Sequence, residues 1–154
     1  VDAQALLDSV TAIEPQATLR PAADRPAVAV PADRLAAFMG RLKEAPLLAF
    51  DLLYTHTAVD WPAEDRIELL YVLYSTRQRH SLLVSASVPR SAPEIDSVHG
   101  VWRIAEWQER EVYDLFGVLY RGHPDLRRIL LPDEWQGHPL RKDYRDDHML
   151  ELPK

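Results

Sequence analysis

His80-Ser-Leu-Leu-Val-Ser-Ala-Ser-Val88 alternates between apolar and small polar side chains. Leu82, Val84, Ala86 and Val88 fall on one side and Ser81, Ser85 and Ser87 on the other, the pattern of a strand with one buried face. Immediately upstream, Phe50 to Trp61 and Arg66 to Thr76 are equally rich in Val, Leu, Tyr and Thr, and short polar links separate all three. Links that short join antiparallel neighbours, so residues 50–88 predict a three-stranded meander.

Two helices precede the meander. From Pro31 onward, Leu35, Phe38, Met39 and Leu42 stand at i, i+3, i+4 and i+7, with Asp33 in the first turn, Arg41 and Lys43 in the last, and Pro46 closing the segment. Phe38 and Met39 at this spacing read as core against a sheet rather than as a cofactor contact. Earlier, Asp2 is placed to cap a helix carrying Leu6, Leu7, Val10 and Ile13, which Pro15 stops. Gln16 to Pro26 reads as a loop, and Ala27 to Val30 as a short edge strand after Pro26. The order helix, strand, helix, three strands predicts an α+β fold, a two-layer sandwich of helices on a mostly antiparallel sheet.

Beyond Pro89 four of the five glycines and Pro124, Pro132, Pro139 and Pro153 break up regular structure. The exception is a helix: Glu106 to Phe116 lacks both residues, and Gly117 stands where a C-terminal cap belongs. The expected division is an α+β domain over 1–100 and, over 101–154, a charged helix with an extended tail, the two forming one structural unit. A tail of this length without elements of its own suits a binding arm.

The 154 residues carry 47% hydrophobic and 27% charged side chains, a globular balance, and a net charge of -6 that disfavours nucleic acid as a partner. There is no cysteine, so disulfides, thiolate zinc and iron–sulfur ligation are excluded within the chain. The longest apolar runs, such as Leu69 to Tyr74, are far below the ~20 residues of a membrane span. With no secretory leader evident at Val1, a cytoplasmic protein is expected, held at a membrane only through partners. The six histidines lack the i, i+4 spacing of a helical zinc site, and neither a nucleophile elbow nor a glycine-rich phosphate loop occurs. No metal, cofactor or catalytic residue is therefore assigned.

The densest signal is Trp107-Gln-Glu-Arg-Glu-Val-Tyr-Asp-Leu-Phe-Gly117. Glu106, Arg110 and Asp114 are four apart and predict an ion-pair ladder on one helix face, which is a solvated surface unless the neighbouring Glu109 and Glu111 meet a basic partner. Candidates for that partner are Arg127-Arg128 and Arg141-Lys142, each following a Gly-His-Pro turn, Gly122-His123-Pro124 and Gly137-His138-Pro139. Arg127 or Arg128 could pair with Glu109 or Glu111 and pin the tail, or could reach a neighbouring protein. Trp102, Trp107, Trp135, Phe116 and Tyr120 serve as core or as a docking surface. An enzyme would instead need a pocket bringing His123 or His138 near Glu111, and a free-standing ligand-binding module would need a tail folded back completely.

Trp107-x-Glu109-Arg110-Glu111-Val112-x-Asp114-x-Phe116-Gly117, then Gly122-His123-Pro124-Asp125-Leu126-Arg127-Arg128-Ile129-Leu130, then His138-Pro139-Leu140-Arg141-Lys142-Asp143-Tyr144, resembles the signature of the 30 kDa (type C) subunit family of NADH:quinone oxidoreductase, respiratory complex I. The resemblance implies a non-catalytic member of the hydrophilic arm, peripheral on the cytoplasmic side of the membrane. It would brace the quinone-reducing module against the D subunit, near the iron–sulfur subunits B and I. Flavin, iron–sulfur clusters and quinone would belong to the other subunits of that complex. Related subunits serve membrane-bound nickel–iron hydrogenases and formate hydrogenlyase. The residues implied in partner docking or tail bracing are Glu109, Arg110, Glu111, Asp114, Phe116, His123, Arg127, Arg128, Arg141, Lys142 and Tyr144. Arg145 stands where many relatives have Pro, so no contacts are carried past Tyr144.

Overall fold

A computed structural model describes residues 2–21 and 24–149. Ala22, Ala23 and the last five residues of the expected tail lie outside the described residues. Three helices pack on a mixed five-stranded sheet, with a two-stranded sheet beside it. Helix α1 spans Ala3–Ile13 and buries Leu6 and Val10. Asp2 occupies its N-cap position without a side-chain bond, its backbone carbonyl accepting from the amide of Leu6. Strands β1 (Thr18–Leu19) and β2 (Ala27–Ala29) form a small antiparallel pair. The segment after Pro31 opens with a 3-10 turn, Ala32–Arg34, before α2 spans Leu35–Glu44 and buries Leu35, Phe38, Met39 and Leu42.

The meander is β3 (Leu52–Trp61), β4 (Arg66–Ser75) and β5 (His80–Pro89), all antiparallel. Strand β2 runs parallel to β5, giving the order β1-β2-β5-β4-β3. Inward positions pair across the strands, Leu73 with Leu82, Tyr71 with Val84, Leu69 with Ala86 and Ile67 with Val88. All of these are buried with the inner faces of α1 and α2 in one core.

Downstream of β5, β6 (Glu94–Asp96) and β7 (Leu119–Arg121) pair in parallel on either side of α3 (Ala105–Phe116). These two strands and β1 were not expected from the sequence. Helix α3 lies along β3 and ends at Gly117, whose φ of 79° and amide bond to the Tyr113 carbonyl make the expected cap. A Cβ there would stand 2.6 Å from the His138 ring, so glycine also admits the tail. Among the described residues no helix is long and apolar enough to cross a membrane.

Candidate functional site

The charged face of α3 points inward. Glu109 and Asp114 are 0% exposed and Arg110 is 4% exposed, so the solvated ladder expected of Glu106, Arg110 and Asp114 does not form. Each group is instead satisfied by backbone or side chains distant in sequence, as burial of charge requires.

Asp114 is the centre of a cluster. Its Oδ1 accepts from Nη1 of Arg128 at 2.7 Å, and its Oδ2 accepts the amides of Ile129, Leu130 and Leu131 at 3.1, 2.7 and 2.9 Å. Burial opposes ionisation, but Arg128 and the three amides outweigh it and hold the carboxyl below the ordinary range. The Arg128 guanidinium also donates to the carbonyls of Asp114, Trp135 and Gly137. Arg110 donates from Nε and Nη2 to the carbonyls of Arg127 and Arg128 at 3.1 and 2.9 Å, with Trp107 stacked on its guanidinium. One carboxylate and two arginines thus fold residues 127–137 over α3.

The second Gly-His-Pro turn is fastened nearby. His138 donates Nδ1–H to the Asp114 carbonyl, Arg141 donates Nε–H to the Phe116 carbonyl at 2.7 Å, and the Leu140 amide reaches the Leu115 carbonyl. At the end of β3, buried Asp60 takes Arg90 on both oxygens and the Lys142 amide at 2.9 Å, while Arg90 also donates to Asp143. The Arg90 bond holds Asp60 below the ordinary carboxylate range despite desolvation. Lys142 places its ammonium 5.0 Å from the Trp61 ring centre, and the Tyr144 hydroxyl donates to Asp146.

Several expected pairings are corrected. Neither basic pair meets Glu109 or Glu111: Arg128 goes to Asp114, while Arg127, 66% exposed, goes only to Asp125. Glu111 is exposed. Glu109 is held by Ser97 Oγ–H at 2.6 Å and the Val98 amide at 2.8 Å, and burial, opposed by those two bonds, raises its pKa to about 7. His123 stands beside Glu109, not Glu111; its ring accepts the Asp125 amide on Nδ1 and donates from Nε2 to the Glu106 carbonyl. His138 is taken up by the Asp114 carbonyl, so neither histidine converges on Glu111 as an enzyme site would require. Two concavities of about 430 and 450 Å³ flank Arg20 beside β1 and β2, away from these residues. Among the described residues no three His, Asp or Glu side chains are grouped to hold a metal.

Sequence reasoning missed a buried polar core beneath α3. His56 donates Nδ1–H to the Leu70 carbonyl and accepts Tyr120 O–H on Nε2 at 2.6 Å, which defines a neutral imidazole. Its burial lowers the pKa to about 4, the Leu70 bond acting the other way. Tyr71 stacks on His56 at 4.0 Å, and its buried hydroxyl has no partner. The inward alternation of β3, which puts His56 in phase with Leu53 and Ala58 after a bulge at Tyr54, was the available signal.

The tail is therefore folded back chiefly by polar contacts: among the described residues beyond Tyr120 no apolar side chain is fully buried, although Leu126 packs part-buried against the core. Ile129, Leu130, Leu140 and Met149 are exposed, as are Ile104 and Trp107 of the α3 region and Leu119 of β7. Trp107 at 53% exposure is not the core residue its size suggested, whereas Trp102, Phe116 and Tyr120 are buried.

Fold and site together define an α+β chain that uses its charged helix as the anchor for its own C-terminal arm. The family model for the respiratory-chain NADH dehydrogenase, 30 Kd subunit, matches residues 28–148. The C subunit of an NADH-quinone oxidoreductase from Moorella thermoacetica is 47% identical over 131 residues, 85% of this chain and 87% of that protein. The chain spans 61% of the length of another C subunit, from Geobacter metallireducens. The C/D subunit of an NADH-quinone oxidoreductase from Phocaeicola vulgatus is 41% identical over 118 residues, 76% of this chain and 22% of its own length. Among solved structures, a chain of an archaeal respiratory membrane complex, the membrane-bound sulfane sulfur reductase, aligns with a TM-score of 0.79 at 28% identity, covering 92% of this chain and 85% of that one. The chain belongs to the 30 kDa subunit family of complex I, the family of the NADH-quinone oxidoreductase C subunits.

Proposed function

We propose that the chain is a docking subunit of the hydrophilic arm of NADH-quinone oxidoreductase, bracing the quinone-reducing module against a D subunit. The observation that carries this role is the division of labour in residues 101–149. Buried Asp114 and Arg110 and part-buried Arg128, with Arg141 and the Lys142 amide, rigidify an arm whose apolar side chains Leu130, Leu140 and Met149 face outward. An arm held by polar bonds and displaying aliphatic groups is arranged to bury them elsewhere. Exposed Trp107, backed by Arg110, and exposed Arg127 are the anchors of the kind that dominate interfaces. The fusion implied by the name of the C/D relative supports the D subunit as the neighbour.

In this role residues 1–100 are the platform and 101–154 the arm of one unit. Arg110, Asp114, Phe116, His123, Arg128, Arg141, Lys142 and Tyr144 act in tail bracing, Glu109 is tied to Ser97 and Val98 beneath α3, and Glu111 and Arg127 are left for the partner. Flavin, iron–sulfur clusters and quinone would be carried by other subunits, B and I among the neighbours, and the chain would reach the cytoplasmic membrane face only through them. A second assignment, the corresponding subunit of another respiratory membrane complex such as a membrane-bound hydrogenase, is favoured by the fold shared with the archaeal sulfane sulfur reductase chain.

The test is affinity isolation of the tagged chain from gently solubilised membranes of its native host. Recovery with a flavin-containing NADH-oxidising protein and a D subunit supports the first assignment; nickel–iron or sulfur-reducing partners select the second. Recovery of the chain alone from the soluble fraction overturns both.

A further inference from the structure

Glu109 has no bracing partner in the arm. It is enclosed in the core, and the groups facing it are Ser97 and Val98 after β6, His123 after β7, Tyr120 on β7 and Tyr71 on β4, with His99 beyond His123 and His56 beyond Tyr120. On its own helix, Arg110 is turned away to the carbonyls of the tail and Glu106 lies toward His99. No arginine or lysine among the described residues forms an ion pair with it, which is unusual for an enclosed carboxylate.

His123 is the group poised to respond. Its side chain is 0% exposed, and because Nδ1 accepts the Asp125 amide at 3.0 Å, its proton sits on Nε2. That Nε2 lies 2.9 Å from the Glu106 carbonyl oxygen and 4.0 Å from Oε2 of Glu109. One small rotation of the ring separates two acceptors, a neutral carbonyl and a carboxyl whose strength as an acceptor depends on its charge.

We propose that Glu109 and His123 form a proton-controlled latch for the first turn of the arm: protonated Glu109 leaves the imidazole N–H on the Glu106 carbonyl, and ionised Glu109 draws it across. The proton that Glu109 loses goes to solvent, and the His123 Nε2–H is presented to one acceptor or the other. Because burial holds the Glu109 pKa at about 7, against the Ser97 and Val98 bonds, the exchange falls in the neutral range. His123 moves the Asp125 amide with it, and that turn leads directly into Arg127, Arg128 and the three amides gathered by Asp114. The latch adjusts how the arm is presented, whichever complex receives it.

The test is an NMR titration of the full chain labelled with 13C and 15N, from about pH 5 to 8. The expected result is a Glu109 carboxyl carbon that titrates near neutrality, with the His123 Nε2 proton moving downfield at the same midpoint. In Glu109→Gln the step in the His123 Nε2 proton that tracks the Glu109 carboxyl should be absent. A Glu109 carboxyl already ionised at the acid end overturns the latch, as does a His123 ring indifferent to its titration. Should the variant not fold, the wild-type titration alone decides.

Discussion

Replacing Glu109 with Gln should change the pH dependence of stability in a direction set by two opposed buried groups. Glu109 moves from 4.5 to about 7 on folding, so the native state holds its proton more tightly and stability is lost as pH rises from about 4.5 to 7. His56 moves from 6.5 to about 4, so the native state resists protonation, and stability is gained as pH rises from about 4 to 6.5. At about 1.4 kcal/mol per pH unit, each displacement accumulates about 3 kcal/mol, with opposite sign. Where the windows overlap the two slopes cancel, and the wild-type chain should show little net dependence from this pair. In Glu109→Gln only the histidine slope remains, so the variant should gain about 2–3 kcal/mol between about pH 4.5 and 6.5, its advantage over wild type greatest above pH 7. Urea unfolding at a series of pH values, followed by far-UV circular dichroism and compared at equal m, measures this directly. Parallel curves for the two proteins, or an advantage that grows as pH falls, would falsify the assignment of opposed buried charges.

Arg128→Ala should cost about 2–4 kcal/mol, because it strands buried Asp114 and four of its own hydrogen bonds, whereas Arg127→Ala should leave the unfolding midpoint unchanged and act only on complex assembly. Equal effects of the two substitutions on the isolated chain would contradict the division between brace and interface. Tyr71→Phe removes a hydroxyl that has no partner, so stability should hold or rise by up to about 1 kcal/mol; a loss above about 2 kcal/mol would reveal a bond not accounted for. Gly117→Ala should lose at least about 1 kcal/mol at a φ of 79° and displace His138, which trypsin would register as faster cleavage around Arg141.

The elements legible from sequence were those whose partners are local or whose period is long. Leu82, Val84, Ala86 and Val88 declare a buried face within nine residues, and Leu35 to Leu42 does so over two helical turns. Strands β1, β6 and β7 are two or three residues long, too short for any period, and are defined only by their pairing, β1 with nearby β2 and β6 with β7 across α3. The sense of α3 was misjudged for a related reason. A charged helix face is read as solvated when its partners are sought among side chains, but beside Arg128 the Asp114 carboxylate takes three backbone amides of residues 129–131, and Arg110 is satisfied by backbone carbonyls. Amides carry no side-chain signature. Arg127 and Arg128 were not told apart in the sequence, because Asp114, the partner that takes Arg128 alone, lies on the helix face read as solvated.

The parallel pairing of β2 with β5 sets an order of assembly. Ala27 meets Leu83 across 56 positions, whereas β3, β4 and β5 meet through turns of a few residues. Loop closure therefore favours the meander first, with β2 and the helices on either side of it added afterwards. During synthesis the N-terminal third emerges before any strand that could receive it, and it must wait until β5 has left the ribosome. Over that interval Val28 and the apolar faces of α1 and α2 lack their sheet, which makes translation speed through residues 50–89 a determinant of how much of this chain reaches the folded state.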